Sequence, residues 1–221
     1  MKRFPWLLFL LLPFALFSQE LPPEKKKKPE HKSIGLGIKA GFNFANVTNA
    51  SSINGSSRAG YHFGLLLAPA SHGIIGSRTE LIYSRHGYNY ASDTANGSVN
   101  LDYIMLAQLM AIHITKYFDI QLGGQTAYLL SVKVDSSHQS TGNASVDKLL
   151  GFYNRFDYGF GAGIEIHPIA GLLVGARYCL SFSNLYKQTY APGNGSTLPS
   201  FAPPTIDLKN NVVLISIGYR F

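Results

Sequence analysis

From residue 34 onward the chain alternates apolar and polar or glycine positions with a period of two. In IGLGIKAGFNFA, Ile34, Leu36, Ile38, Ala40, Phe42 and Phe44 share one parity, while Gly35, Gly37, Lys39, Gly41 and Asn43 hold the other. A strand puts successive side chains on opposite faces, whereas a helix of period 3.6 would scatter both sets around its axis. The pattern returns in Ala59, Tyr61, Phe63, Leu65 and Leu67, then in Thr79, Leu81 and Tyr83. A fourth segment, about 99–111, sets Leu101, Tyr103, Met105, Ala107 and Leu109 against Asp102 and Gln108, with Ile104 and Leu106 blurring it. Phe118, Ile120, Leu122 and Tyr128 oppose Gln121, Gly123 and Gln125, and Phe156, Tyr158, Phe160, Ala162, Ile164 and Ile166 oppose Asp157, Gly159 and Glu165. Leu172, Val174, Ala176 and Tyr178 oppose Arg177, and Val213, Ile215, Ile217, Tyr219 and Phe221 close the chain. The pattern predicts eight strands.

The character of the two faces selects the class. A soluble barrel puts its large apolar side chains inside. Here the apolar face is continuous and aromatic, and the other face combines glycine with charge. Eight strands enclose room for side chains only, so glycines relieve crowding and opposite charges pair. Six candidate inward cations, Lys39, Arg58, Arg78, Arg155, Arg177 and Arg220, meet four candidate anions, Glu80, Asp102, Asp157 and Glu165. The apolar face then meets lipid, as in an all-β, eight-stranded antiparallel transmembrane β-barrel of up-and-down topology. The connections agree: 45–57, 89–98, 133–151 and 185–209 are long, while 69–74, 113–117 and 167–171 are short. Such barrels keep short turns and both termini on the periplasmic side and long loops outside.

The first 33 residues stand apart. Residues 1–19 have Lys2 and Arg3 before an apolar run broken by Pro13, and then Ser18-Gln19; they read as a cleaved export signal. Residues 20–33 are rich in Pro and charge and read as a flexible periplasmic leader, which leaves 34–221 as the barrel domain. Only 14% of the chain is charged against 46% hydrophobic, with 22 glycines and 27 Tyr and Phe together. The net charge of +7 shrinks to +3 over residues 33–221, where twelve Lys and Arg meet nine acids. No basic stripe for nucleic acid remains. The lone Cys179 excludes an intrachain disulfide.

The segments GIKAGFNFA, ELIYSRHG (80–87), DYGFGAGIEI (157–166), ARYCLSFSNLY (176–186) and the closing ISIGYRF resemble the PorT-like outer-membrane β-barrel family of Bacteroidota, itself similar in architecture to the OmpX and OmpA barrels. The resemblance spans about 34–221 and departs at Ala107-Gln108, where the family places proline and more leucine. It implies a multi-pass outer-membrane location, outer-membrane lipids as surroundings and the barrel-assembly machinery as a partner in biogenesis. The founding member belongs to a secretion and gliding apparatus.

Candidate chemistry is sparse. Some eight-stranded barrels modify lipid A with a His and a Ser, so His62, facing inward, and Ser84 on a neighbouring strand are the pair to examine, with His86 near the outer rim. No spacing specifies an orienting acid or an oxyanion site, and His62 faces the lumen rather than lipid. No two histidines sit at a ligand spacing on one face, and His113 and His167 read as turn residues at the periplasmic interface. The expectation is therefore no catalytic, cofactor-binding or metal residues and no cofactor. Tyr61, Tyr83, Tyr103, Phe118, Tyr128, Tyr178 and Tyr219 read as interface girdle and lipid-facing bulk. The sequons at Asn46, Asn49, Asn54, Asn96, Asn143 and Asn194, and the Asp93-Thr94-Ala95 segment, fall in predicted outer loops. The reading is a structural or interaction protein that meets an unknown partner through its outer loops. A lipid-modifying enzyme, a component of a secretion or gliding complex and a soluble carrier are the rivals.

Overall fold

The structure, a computed structural model, describes residues 35–47, 56–69, 71, 73–91, 96–136, 150–187 and 208–221. The expected signal and leader lie outside the described residues, as do Asn49, Asn54, Asn143, Asn194 and Asp93-Thr94-Ala95. Eight strands form one closed antiparallel barrel in sequential order. They are β1 (Leu36–Val47), β2 (Ser56–Leu67), β3 (Ile75–Ala91), β4 (Asn96–Thr115), β5 (Phe118–Ser136), β6 (Phe156–Ile166), β7 (Leu172–Ser181) and β8 (Asn210–Arg220). β8 pairs with β1 from Gly37↔Arg220 to Val47↔Asn210, so the first and last strands satisfy each other's backbone groups. Closure matters because an open edge in hydrocarbon leaves N–H and C=O groups unpaired, each costing several kcal/mol.

β3, β4 and β5 run 17, 20 and 19 residues, beyond the roughly 9–11 that cross a bilayer. They extend past the outer ends of β6, β7 and β8. β3 reaches Ala91 and β4 starts at Asn96, so the expected 89–98 loop is largely strand. Asn46, expected in a loop, is the strand residue paired with Asn211. At the opposite end the turns are short. Lys116 and Tyr117 join β4 to β5, and the 167–171 turn ends on Gly171 at φ 82, where a side chain would also crowd Tyr219.

The outward face is apolar on every strand, with Phe42, Phe63, Leu65, Phe156, Ile164, Ile217 and Phe221 among its exposed side chains. β4 reverses the expected facing. Leu101, Tyr103, Met105, Ala107 and Leu109 are buried in the lumen, and Ile104 and Met110 face outward. Tyr103 is therefore not a girdle residue, whereas Tyr61, Tyr128, Tyr178 and Tyr219 are exposed as expected. Asp102 lies on the outward face, where Arg85 Nε and Nη2 and Ser131 Oγ donate to its carboxylate at 2.6, 3.1 and 2.8 Å. The guanidinium of Arg85 also lies 5.2 Å from the centre of the Tyr61 ring. A carboxylate on this face is tolerated because charge and hydrogen bonds close over it.

Candidate functional site

Three layers fill the lumen, each drawn from several strands. The central layer is ionic. Glu80 of β3 receives hydrogen bonds from Lys39 of β1 at 3.0 and 3.1 Å and from Arg177 of β7 at 2.7 and 2.9 Å. Arg177 also donates to Gln121 of β5 at 2.9 Å, and Arg78 pairs with Glu165 of β6. All six side chains are buried. Isolated charges of this kind would each cost several kcal/mol; here every one has an opposite partner. Glycine makes the room: a Cβ at Gly161 or Gly163 would lie 3.2 or 3.0 Å from side-chain carbons of Arg177.

Not all the expected inward charges join this layer. Arg155 is exposed and donates to the outward Tyr128 hydroxyl at 3.3 Å. Arg58 lies in the irregular stretch between Ser57 and His62, where the β2–β3 register shifts, and donates to Asn100 and Asn89 at 2.8 and 3.0 Å. Asp102 has left for the outer face, as described above. Asp157 is held by the hydroxyls of Ser181 and Ser183, and Arg220 lines the periplasmic mouth.

Above the ions lies a polar layer containing the expected His–Ser pair. His62 and Ser84 are direct cross-strand neighbours and both are buried. No hydrogen bond joins them among the described residues. Ser84 Oγ accepts a hydrogen bond from Asn43 at 2.8 Å, and neither ring nitrogen of His62 has a hydrogen-bond partner among the described residues. His86 bonds Asn210 through Nδ1 at 2.9 Å and packs on the Tyr103 ring.

The outer layer is apolar. Tyr88, Val99, Leu101, Tyr103, Met105 and Leu129 pack with Leu150, Tyr153, Leu185, Tyr186 and Leu208 from the segments above the strands. The hydroxyls of Tyr88, Tyr153 and Tyr186 meet one another, and Tyr153 bridges Tyr186 through the backbone. Burial raises the phenol pKa of Tyr153 and Tyr186 well above 10. This layer explains the reversed β4: its apolar side chains build the plug.

At the periplasmic mouth a cavity of about 940 Å3 opens past Arg78, His113, Asp119, His167 and Arg220. His113, expected in a turn, is a β4 residue opposite Asp119 of β5, which is itself opposite Glu165 of β6. His113 Nδ1 lies 2.8 Å from Asp119 Oδ1, and His167 Nε2 lies 2.9 Å from Oδ2. Sequence spacing did not bring these four together, because they come from three neighbouring strands and the residue just past one of them.

The family described as outer membrane protein beta-barrel domain matches residues 17–187. The chain belongs to this family. It is a multi-pass barrel of the outer membrane. Among solved structures, Neisserial surface protein A is similar at a TM-score of 0.55 and 11% identity, covering 87% of this chain and 100% of that one. Ail, the attachment invasion locus protein of Yersinia pestis, gives 0.46 and 16%, with 86% and 100% covered. OprG of Pseudomonas aeruginosa gives 0.45 and 13%, with 87% and 98% covered. The first of these shares the fold with this barrel. No curated protein matches the chain by sequence.

Proposed function

We propose that this barrel is a non-enzymatic outer-membrane protein that acts through contacts at its extracellular end and is not a general porin. The filled lumen carries this reading: ions at the centre, Asn43, His62, Ser84 and His86 above them, and the tyrosine-rich plug at the outer end. Solute would have to break buried ion pairs and a packed apolar layer in turn. What remains for interaction is the outer rim, where β3, β4 and β5 project. Planar-bilayer recording of the purified protein tests the closed lumen, with no large steady conductance expected. Co-purification from native membranes in mild detergent tests the interaction role. A binding partner whose capture is lost when outer-rim residues are exchanged supports it.

The lipid-modifying alternative loses its best pair, since His62 and Ser84 are enclosed in the lumen and do not bond each other. Unchanged lipid A acylation in a deletion strain is the expected result. The segments ELIYSRHG and DYGFGAGIEI favour a second reading, kinship with the PorT-like barrels and with it membership of a secretion or gliding complex. Loss of secretion or gliding on deletion, restored by the wild-type chain, supports that reading.

A further inference from the structure

The cluster at the periplasmic mouth has the chemistry of a ligand set. Among the described residues, Asp119, Glu165 and His167 each offer one donor atom, and these atoms all lie within 4.8 Å of one another. His167 Nε2 is 2.9 Å from Asp119 Oδ2 and 3.6 Å from Glu165 Oε1. Two donors bound to one tetrahedral Zn2+ at about 2.0–2.2 Å stand roughly 3.3–3.6 Å apart, so small movements suffice to bring an ion into contact with them.

A second observation points the same way. Glu165 is buried and its Oε2 is taken by Arg78, yet Oε1 has no hydrogen-bond partner among the described residues and lies on the His167 side. A buried acceptor without a partner is costly. Asp119 and Glu165 are also directly opposed on adjacent strands, where like charges destabilise the pair. A cation between them answers both problems. His113 grips the other oxygen of Asp119 and orients it, the usual duty of a residue behind a metal ligand. Gly76 leaves the space for that imidazole, since a Cβ there would lie 2.8 Å from His113 Nε2.

We propose that Asp119, Glu165 and His167 bind one divalent transition-metal ion at the periplasmic mouth, with His113 positioning Asp119. An imidazole nitrogen with two carboxylate oxygens suits Zn2+ and its neighbours, whereas Ca2+ takes six to eight oxygens. The cavity leaves the remaining coordination position to water. The site ties β5 to β6 and to the turn beyond it.

Calorimetric titration of Zn2+ into the untagged full chain, refolded in detergent micelles and stripped with chelator, tests the proposal. One Zn2+ per chain is expected, with little Ca2+ binding. His167→Ala and Asp119→Asn should each weaken Zn2+ at least tenfold, and His113→Ala by less, all in barrels that keep their heat-modifiable gel shift. If the alanine variant does not fold, His167→Gln keeps a donor for Asp119 but is a poor ligand, and serves in its place. Saturating Zn2+ should also raise the unfolding midpoint of the wild type and not of the His167 variant. No stoichiometric Zn2+ uptake by the wild type overturns the proposal. So does uptake that the His167 and Asp119 variants leave unchanged, which would place the ion at histidines elsewhere.

Discussion

Arg177 reaches across the lumen from β7 to grip both carboxylate oxygens of Glu80 on β3, at 2.7 and 2.9 Å. In the ring of eight strands these two stand opposite each other, so the pair is a strut through the middle of the barrel. Lys39 joins the same carboxylate from β1. Neighbouring strands are already held by their ladders. The strut resists flattening of the ring, which the ladders do not, and it lies across the middle of the lumen.

Glu80→Ala leaves Lys39 and Arg177 buried without their shared anion. A loss of about 3–5 kcal/mol is expected, as for breaking a buried ion pair from one side. Replacing all three charges together, as Lys39→Met, Glu80→Leu and Arg177→Met, should cost much less than Glu80→Ala alone. Urea unfolding in lipid vesicles measures both.

On β8, Ile217 faces lipid and Ser216 faces the lumen. Ile217→Arg should cost roughly 2–4 kcal/mol near the midplane of the membrane. Ser216→Arg should cost less, the difference again being read by refolding in vesicles. Equal losses would contradict the facing.

The facing of β4 has its own test. In a Cys179→Ser background, a membrane-dissolved maleimide should label Ile104→Cys and leave Met105→Cys unlabelled. The reverse would restore the facing expected from alternation alone.

Phe221 donates its N–H to the Leu36 carbonyl at 2.8 Å and exposes its ring beside Tyr219. It ends the seam between β1 and β8 at the depth where an aromatic ring anchors a strand. Deleting Phe221 should sharply lower the heat-modifiable, membrane-inserted form while export to the periplasm continues. Wild-type levels and rates of insertion would refute this.

Tyr153 and Tyr186 lie above the strands, and burial holds both phenols well above 10. In the unfolded chain they ionise near the ordinary value of about 10. Their contribution to stability is therefore complete below that pH and declines as the pH rises toward the folded-state values. Tyr153→Phe with Tyr186→Phe should make the fall in stability above pH ~10 shallower than in the wild type, as measured by denaturant unfolding across that range.

Alternation along the chain was enough to establish an eight-stranded barrel with an apolar exterior. Strand pleating is local, and a segment such as Phe156–Ile166 separates its two faces wherever it is placed. The same local rule gave the inward positions of Lys39, Glu80, Glu165 and Arg177, and it put His62 and Ser84 on the inward face of neighbouring strands, which the register then made direct neighbours. It did not decide what fills the lumen at each height. Leu101, Tyr103 and Met105 are as apolar as any lipid-facing set, and only the plug built with Tyr153 and Tyr186 draws them inward. Asp102 is as polar as any lumen residue, and Arg85 and Ser131 on the strands beside it make its outward position stable. The mouth cluster was hidden for a related reason. His113, Asp119, Glu165 and His167 have no shared spacing along the chain, and they meet because antiparallel register sets three strands side by side. Pleating chooses between two faces residue by residue; the occupant of each face is chosen by side chains distant in sequence, and that choice exists only once the barrel has closed.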